Sequence, residues 1–162
     1  MRKLWWLLPV LLLLSGCAAE ETFETVADEL VQPVMSAPAQ IDVRLPDDAA
    51  VPVLESDGAQ LYLCQDYEIL IEILPGGDLA ETVRQISGYD RENLTMVQTR
   101  SEGVTRWEFV WASAGEEGDR LGRAVILDDG SYHYCMSALR SAQDGEETQT
   151  VWNDVFASFR LA

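Results

Sequence analysis

Histidine and lysine are nearly missing from this 162-residue chain: His133 and Lys3 are the only ones. The 11 basic residues stand against 28 acidic ones, for a formal charge of −17. Beyond Arg2 and Lys3 every positive charge is an arginine, scattered from Arg44 to Arg160. That balance excludes a nucleic-acid or anionic-headgroup surface, because both need clustered Lys and Arg. The chain has only three cysteines, Cys17, Cys64 and Cys135. Structural zinc takes three or four Cys or His ligands, so with Cys17 otherwise engaged, zinc is not expected. The acidic stretches at 116–119 and 128–129 lack the alternating Asp/Asn ligands and closing Glu of a calcium loop. Gly-rich phosphate loops and a Gly-x-Ser-x-Gly elbow are also missing. The expectation is a domain without metal or cofactor.

Long hydrophobic runs are scarce too. Leu4–Leu14 is the main one, and as a helix it would reach about 16 Å at ~1.5 Å per residue, well short of a bilayer core of about 30 Å. Preceded by Arg2 and Lys3 and followed by Ser15 and Gly16, it has the order of an export signal. Leu14-Ser15-Gly16-Cys17 resembles the lipobox of bacterial lipoproteins at all four positions. The resemblance implies cleavage before Cys17, a diacylglyceryl group on its sulfur, and palmitate-type acyl chains that hold the protein at the membrane from the extracytoplasmic side. Two or more chains anchor stably where one does not. The expected organisation is a signal peptide over 1–16, the lipidated cysteine and an acidic tether over 17–40, and one domain over 41–162. Within the tether, Phe23, Val26, Ala27, Leu30 and Val31 have helical spacing, and the pattern stops before Pro33.

From Ile41 onward the period shortens to two. Ile41, Val43 and Leu45 alternate with polar neighbours up to Pro46, and Val51–Leu54 reads as a short edge strand. Ala59–Gln65 and Tyr67–Leu74 are predicted strands, the second with Tyr67, Ile69, Ile71 and Ile73 on one face. Asp78-Leu79-Ala80-Glu81 has the form of a capping box opening a helix over about 78–87, which Gly88 stops. Strands follow at Leu94–Arg100 and Val104–Ala112, joined at Glu102-Gly103. A hairpin of Leu121–Leu127 and Ser131–Leu139 then turns at Asp128-Asp129-Gly130. Asp144-Gly145-Glu146-Glu147 offers a second capping box, and Val151, Trp152, Val155, Phe156 and Phe159 give a packed C-terminal helix over about 145–158. The class is α+β with a mostly antiparallel sheet. The hairpins and the closing Trp152…Phe156…Phe159 pattern resemble the PsbP/Mog1-like fold over roughly 50–162. The domain is also similar to small uncharacterised lipoproteins of Gram-positive anaerobes, which implies no activity.

The candidate functional residues are few. His133 and Cys135 share a strand face, and imidazole beside a thiol is one route to a nucleophile. Their i, i+2 spacing of about 6–7 Å exceeds hydrogen-bond reach, so catalysis is not expected. The expectation is a non-enzymatic, monomeric domain that binds a small molecule or a protein; an envelope enzyme or thiol-redox factor using Cys135 or Cys64 is the alternative. Cys64 and Cys135 form a candidate disulfide for an exported protein, which would need the two strands adjacent and both thiols on one face. The Trp107/Phe109/Trp111 stripe is expected in the core. The Tyr132/Tyr134/Met136 face is the candidate binding surface.

Overall fold

The computed structural model describes residues 36–115, 118–142 and 146–162. The signal, Cys17, the tether up to residue 35 and the Asp144 capping box lie outside them.

Among the described residues there are nine strands and two α-helices in an α+β arrangement with antiparallel sheets; eight strands and both helices follow the order the periodicity predicts, and the ninth strand, after the last helix, is one it does not predict. They are β1 (Ile41–Asp42), β2 (Leu54–Ser56), β3 (Ala59–Leu63), β4 (Tyr67–Pro75), α1 (Leu79–Ser87), β5 (Met96–Ser101), β6 (Val104–Gly115), β7 (Gly118–Asp128), β8 (Tyr132–Ser141), α2 (Glu146–Ser158) and β9 (Arg160–Leu161). Seven form one sheet in the order β2-β3-β4-β8-β7-β6-β5, with every neighbouring pair antiparallel. β1 and β9 pair separately. No described helix is long and apolar enough to cross a membrane.

Local chemistry sets these elements. Asp78 caps α1 by accepting from the Ala80 N–H at 2.9 Å, and Gly88, in the left-handed region at φ 77°, sends its N–H to Arg84 O. Glu102 and Gly103, at φ 52° and 87°, turn β5 into β6 as the primed hairpin turn requires. Asp129 nucleates the β7–β8 turn by accepting from the N–H groups of Ser131 and Tyr132 at 2.8 and 2.7 Å.

β8 is the central strand, and a helix covers each of its faces. Odd-numbered residues of β8 meet α1: Cys135 packs with Val83, Phe109, Trp111, Ala124 and Ile126. Even-numbered ones meet α2: Tyr134, Met136 and Ala138 pack with Trp152, Val155, Phe156 and Phe159. The aromatic stripe of β6 lies in the α1-side core as expected. Trp111 lies flat on Gly122 of the next strand, where a Cβ would sit 2.2 Å from its ring; only glycine allows that approach.

Two expectations about the start of the domain change. The alternating run 41–45 contributes only a two-residue strand, because its single partner is the equally short β9. Residues 36–40 belong to the domain and not to a tether. Tyr132 donates to Ser36 O at 2.9 Å, the Ala39 N–H donates to the Tyr134 hydroxyl at 2.8 Å, and the Ala162 N–H reaches Gln40 O at 2.9 Å.

Candidate functional site

The sequence-predicted site residues scatter. Cys64 packs against the α2-side core and Cys135 lies in the α1-side core, on opposite faces of a sheet whose β4 separates their strands. Both are free thiols, so the candidate disulfide does not form. The Tyr132/Tyr134/Met136 surface is corrected as well. Tyr134 and Met136 are fully buried, because their strand is the centre of the sheet and α2 covers this face. Tyr132 is half-buried and bonded to Ser36.

Burial raises both thiols, and the imidazole has a neighbour of its own. Burial, with Glu72 adding, pushes the Cys135 thiol far above its usual range. Burial raises Cys64 as well, and Asp48 adds to this while a hydrogen bond with Tyr67 opposes it. A thiol so raised stays protonated at neutral pH, and the thiolate is the nucleophile. The buried His133 shares a hydrogen bond of 2.8 Å between its Nδ1 and Thr82 Oγ1, which fastens α1 to β8. Among the described residues no three His, Cys, Asp or Glu side chains gather as metal ligands.

The arrangement best suited to hold a ligand is a cleft on the α2 face. Val110 and Ala112 of β6, Leu121 and Arg123 of β7, Arg140 of β8 and Trp152 of α2 are among the residues that line it, around a cavity of about 510 Å³. The strand register builds the floor, setting Val110 opposite Arg123, Ala112 opposite Leu121, and Leu121 opposite Arg140. The Arg140 guanidinium sits 5.5 Å from the Trp152 ring and that of Arg123 4.5 Å from the Phe156 ring, both in cation–π geometry. Arg123 is also fixed by Asn153 Oδ1 at 2.8 Å and Glu108 Oε2 at 3.0 Å. Trp152 is 7% exposed, and its Nε1 is buried with no hydrogen-bond partner. An orphaned buried donor costs about 1–3 kcal/mol, and native interiors hold few of them.

The cleft therefore combines an apolar floor with fixed polar groups at its rim, the composition of small-ligand sites of about 300–1,000 Å³. Sequence reasoning placed Trp152 in the core and missed that it also lines a cleft. It missed Arg123 and Arg140 because a lone arginine on an alternating strand carries no signal of what lies across the sheet.

The class defined by fold and site is an antiparallel α+β domain, helix-covered on both faces, with an apolar, polar-rimmed cleft beside the C-terminal helix. No family model matches the sequence, and comparison with curated proteins gives no match. Among solved structures, the crystal structure of LpqN, involved in cell envelope biogenesis of Mycobacterium tuberculosis, is similar to this chain at 15% identity and a TM-score of 0.49, over 78% of this chain and 87% of that one. Likeness at that level carries nothing about activity.

Proposed function

We propose that the chain is a membrane-anchored extracytoplasmic lipoprotein whose domain binds a ligand rather than transforming one. Support for the anchor is the signal-like order ending in Leu14-Ser15-Gly16-Cys17. The observation that carries the binding reading is the Trp152 cleft, whose apolar floor lies between the guanidinium groups of Arg123 and Arg140 and so suits an apolar ligand bearing an acceptor or anionic group. The alternative, a thiol-redox factor or enzyme, is disfavoured by the raised thiols of Cys64 and Cys135 and by the engagement of His133 with Thr82.

Two measurements test the two halves. Fatty-acid metabolic labelling tags the wild-type chain and not Cys17→Ser; equal labelling of both removes the anchor. For the cleft the probe is anilinonaphthalene sulfonate, an aromatic body with an acceptor group. It gains fluorescence with the folded wild-type protein, and Val110→Trp, which fills the floor from a position 65% exposed, abolishes the gain. Unchanged dye binding in Val110→Trp overturns the ligand cleft.

A further inference from the structure

Seven strands span about 29 Å across the sheet at ~4.8 Å per spacing. Among the described residues α1, with nine residues, is the one helix on one face, and a helix covers a strip roughly 10 Å wide. The core beneath it takes in β5, β6, β7 and β8 and, through Leu74, the end of β4. The same face of β2, β3 and the rest of β4 has no such cover among the described residues. Register identifies what lies there. Leu54 is opposite Leu61 and Leu61 opposite Leu70. One row along, Leu63 is opposite Glu68, which is opposite Leu139. Leu139 packs with the α1-side core, which fixes the side of the sheet for both rows. Leu54 and Leu63 are 56% and 55% exposed, while Leu61, Leu70 and Leu139 are half-buried. This is an apolar strip running on from α1's own seat.

The strip is edged with acid. Glu68 lies within it, bridged to Arg120 at 3.2 Å. Glu72 follows four residues later on the same strand face, beyond Leu70, and burial pushes its carboxyl up. A carboxylate held partly out of water gains from a cation set against it. The whole chain adds its −17 charge to the same bias. A second copy would bring that charge and the same two glutamates against themselves. The acidic segment of residues 20–31, with Glu20, Glu21, Glu24, Asp28 and Glu29, meets the same repulsion.

We propose that the leucine face of β2, β3 and β4 (Leu54, Leu61, Leu63 and Leu70, edged by Glu68 and Glu72) is the docking surface for a cationic amphipathic helix of a partner protein. The helix lies beside α1, with apolar anchors at i, i+3, i+4 and i+7 on the leucines and Lys or Arg on its flanks. The inference rests on the reading of this domain as a binding module. It uses the face of the sheet opposite the Trp152 cleft, so the two fail separately.

The probe is a synthetic Leu/Lys amphipathic helix of about five turns, with a Leu/Glu helix of the same pattern as its counterpart. Fluorescence anisotropy follows binding to the full chain in phosphatidylcholine nanodiscs, with empty nanodiscs as blank. The Leu/Lys helix binds and the Leu/Glu helix does not. Leu54→Asp/Leu63→Asp weakens binding about tenfold or more, as loss of central anchors does, and Leu54→Ala/Leu63→Ala weakens it without changing charge. Val97→Asp, at a site 62% exposed on the other face of the edge strand, leaves it within about twofold. The sign of the Asp variants is decisive. Attraction between net charges alone strengthens when two acids are added, whereas docking on the leucines weakens. Unchanged or tighter binding by Leu54→Asp/Leu63→Asp overturns the proposal, as does absence of binding to wild type. A wild-type dimer that these two variants convert to monomer also overturns it and gives the face to a second copy. Loss of peptide binding with dye binding and Cys17 labelling intact sinks this inference alone.

Discussion

Arg106 ties together parts of the chain that no local pattern connects. Its guanidinium donates to Phe159 O at 2.9 Å and Phe156 O at 2.7 Å, closing the C-terminal end of α2, and to Glu108 Oε1 at 2.7 Å. Glu108 in turn holds Arg123. Burial pushes the Glu108 carboxyl up, but hydrogen bonds from Arg106 and Arg123 and their charges outweigh it and hold the group below its usual value of 4.5. A folded value below the unfolded one gives stability that is complete above about 4.5 and fades as pH falls through the folded value. Glu108→Gln is expected to cost about 1–3 kcal/mol at neutral pH and to flatten the acid limb of the stability–pH curve, read by urea denaturation from pH 3 to 7. Glu72 carries the opposite sign. Burial raises it, so its contribution is present below the unfolded value and is lost as pH rises. Glu72→Gln therefore raises the neutral-pH denaturation midpoint. If both variants move the midpoint the same way, the two environments are wrongly assigned.

The elements were legible wherever the pattern was local. The α1 caps at Asp78 and Gly88 were written in the sequence, as were the Glu102-Gly103 turn and the apolar face of α2. What the sequence hid was which strand is central. Tyr132, Tyr134 and Met136 alternate with His133 and Cys135, and either set could face water. Only the strand order, with β8 between β4 and β7, buries both. The register sends Cys64 to the α2 face and Cys135 to the α1 face. The role of His133 was hidden for the same reason, since its partner Thr82 is 51 residues away. Thr82→Val is expected to cost about 1–3 kcal/mol by stranding a buried ring nitrogen, with the loss concentrated in hydrogen-exchange protection of α1. Trp152→Ala, which removes a buried aromatic from between α2 and the sheet, is expected to cost about 3–5 kcal/mol. A cost under about 1 kcal/mol for Trp152→Ala would mean that the cleft, and not the core, sets its place.

For the whole molecule, the run from Ser36 to Leu45 decides how the domain is closed. It crosses from Tyr132 and Tyr134 to the β9 end of the chain, where Ile41 pairs with Leu161 and Asp42 with Arg160. The Arg44 N–H then donates to Ser158 Oγ at 2.8 Å. Ala39, Ile41, Val43 and Leu45 pack against the α2-side core, so the strap covers apolar surface that α2 leaves open. Fully burying a Val, Leu or Ile stabilises by about 1.5–3 kcal/mol, and these side chains, only partly buried, contribute a fraction of that each. Their sum is several kcal/mol, and the Tyr134 hydroxyl would lose the Ala39 N–H as well. A chain starting at Ser36 should therefore melt within a few degrees of the full chain. One starting at Pro46 should melt lower by about 10 °C or more, since each kcal/mol is worth about 2–8 °C at this size. In an anchored protein the strap is also the point where tension from the membrane side reaches the fold, and it is bonded to β8 at its start and to α2 and β9 at its end. Should the chain from Pro46 melt with the one from Ser36, the contacts of residues 36–45 are incidental and the domain begins after them.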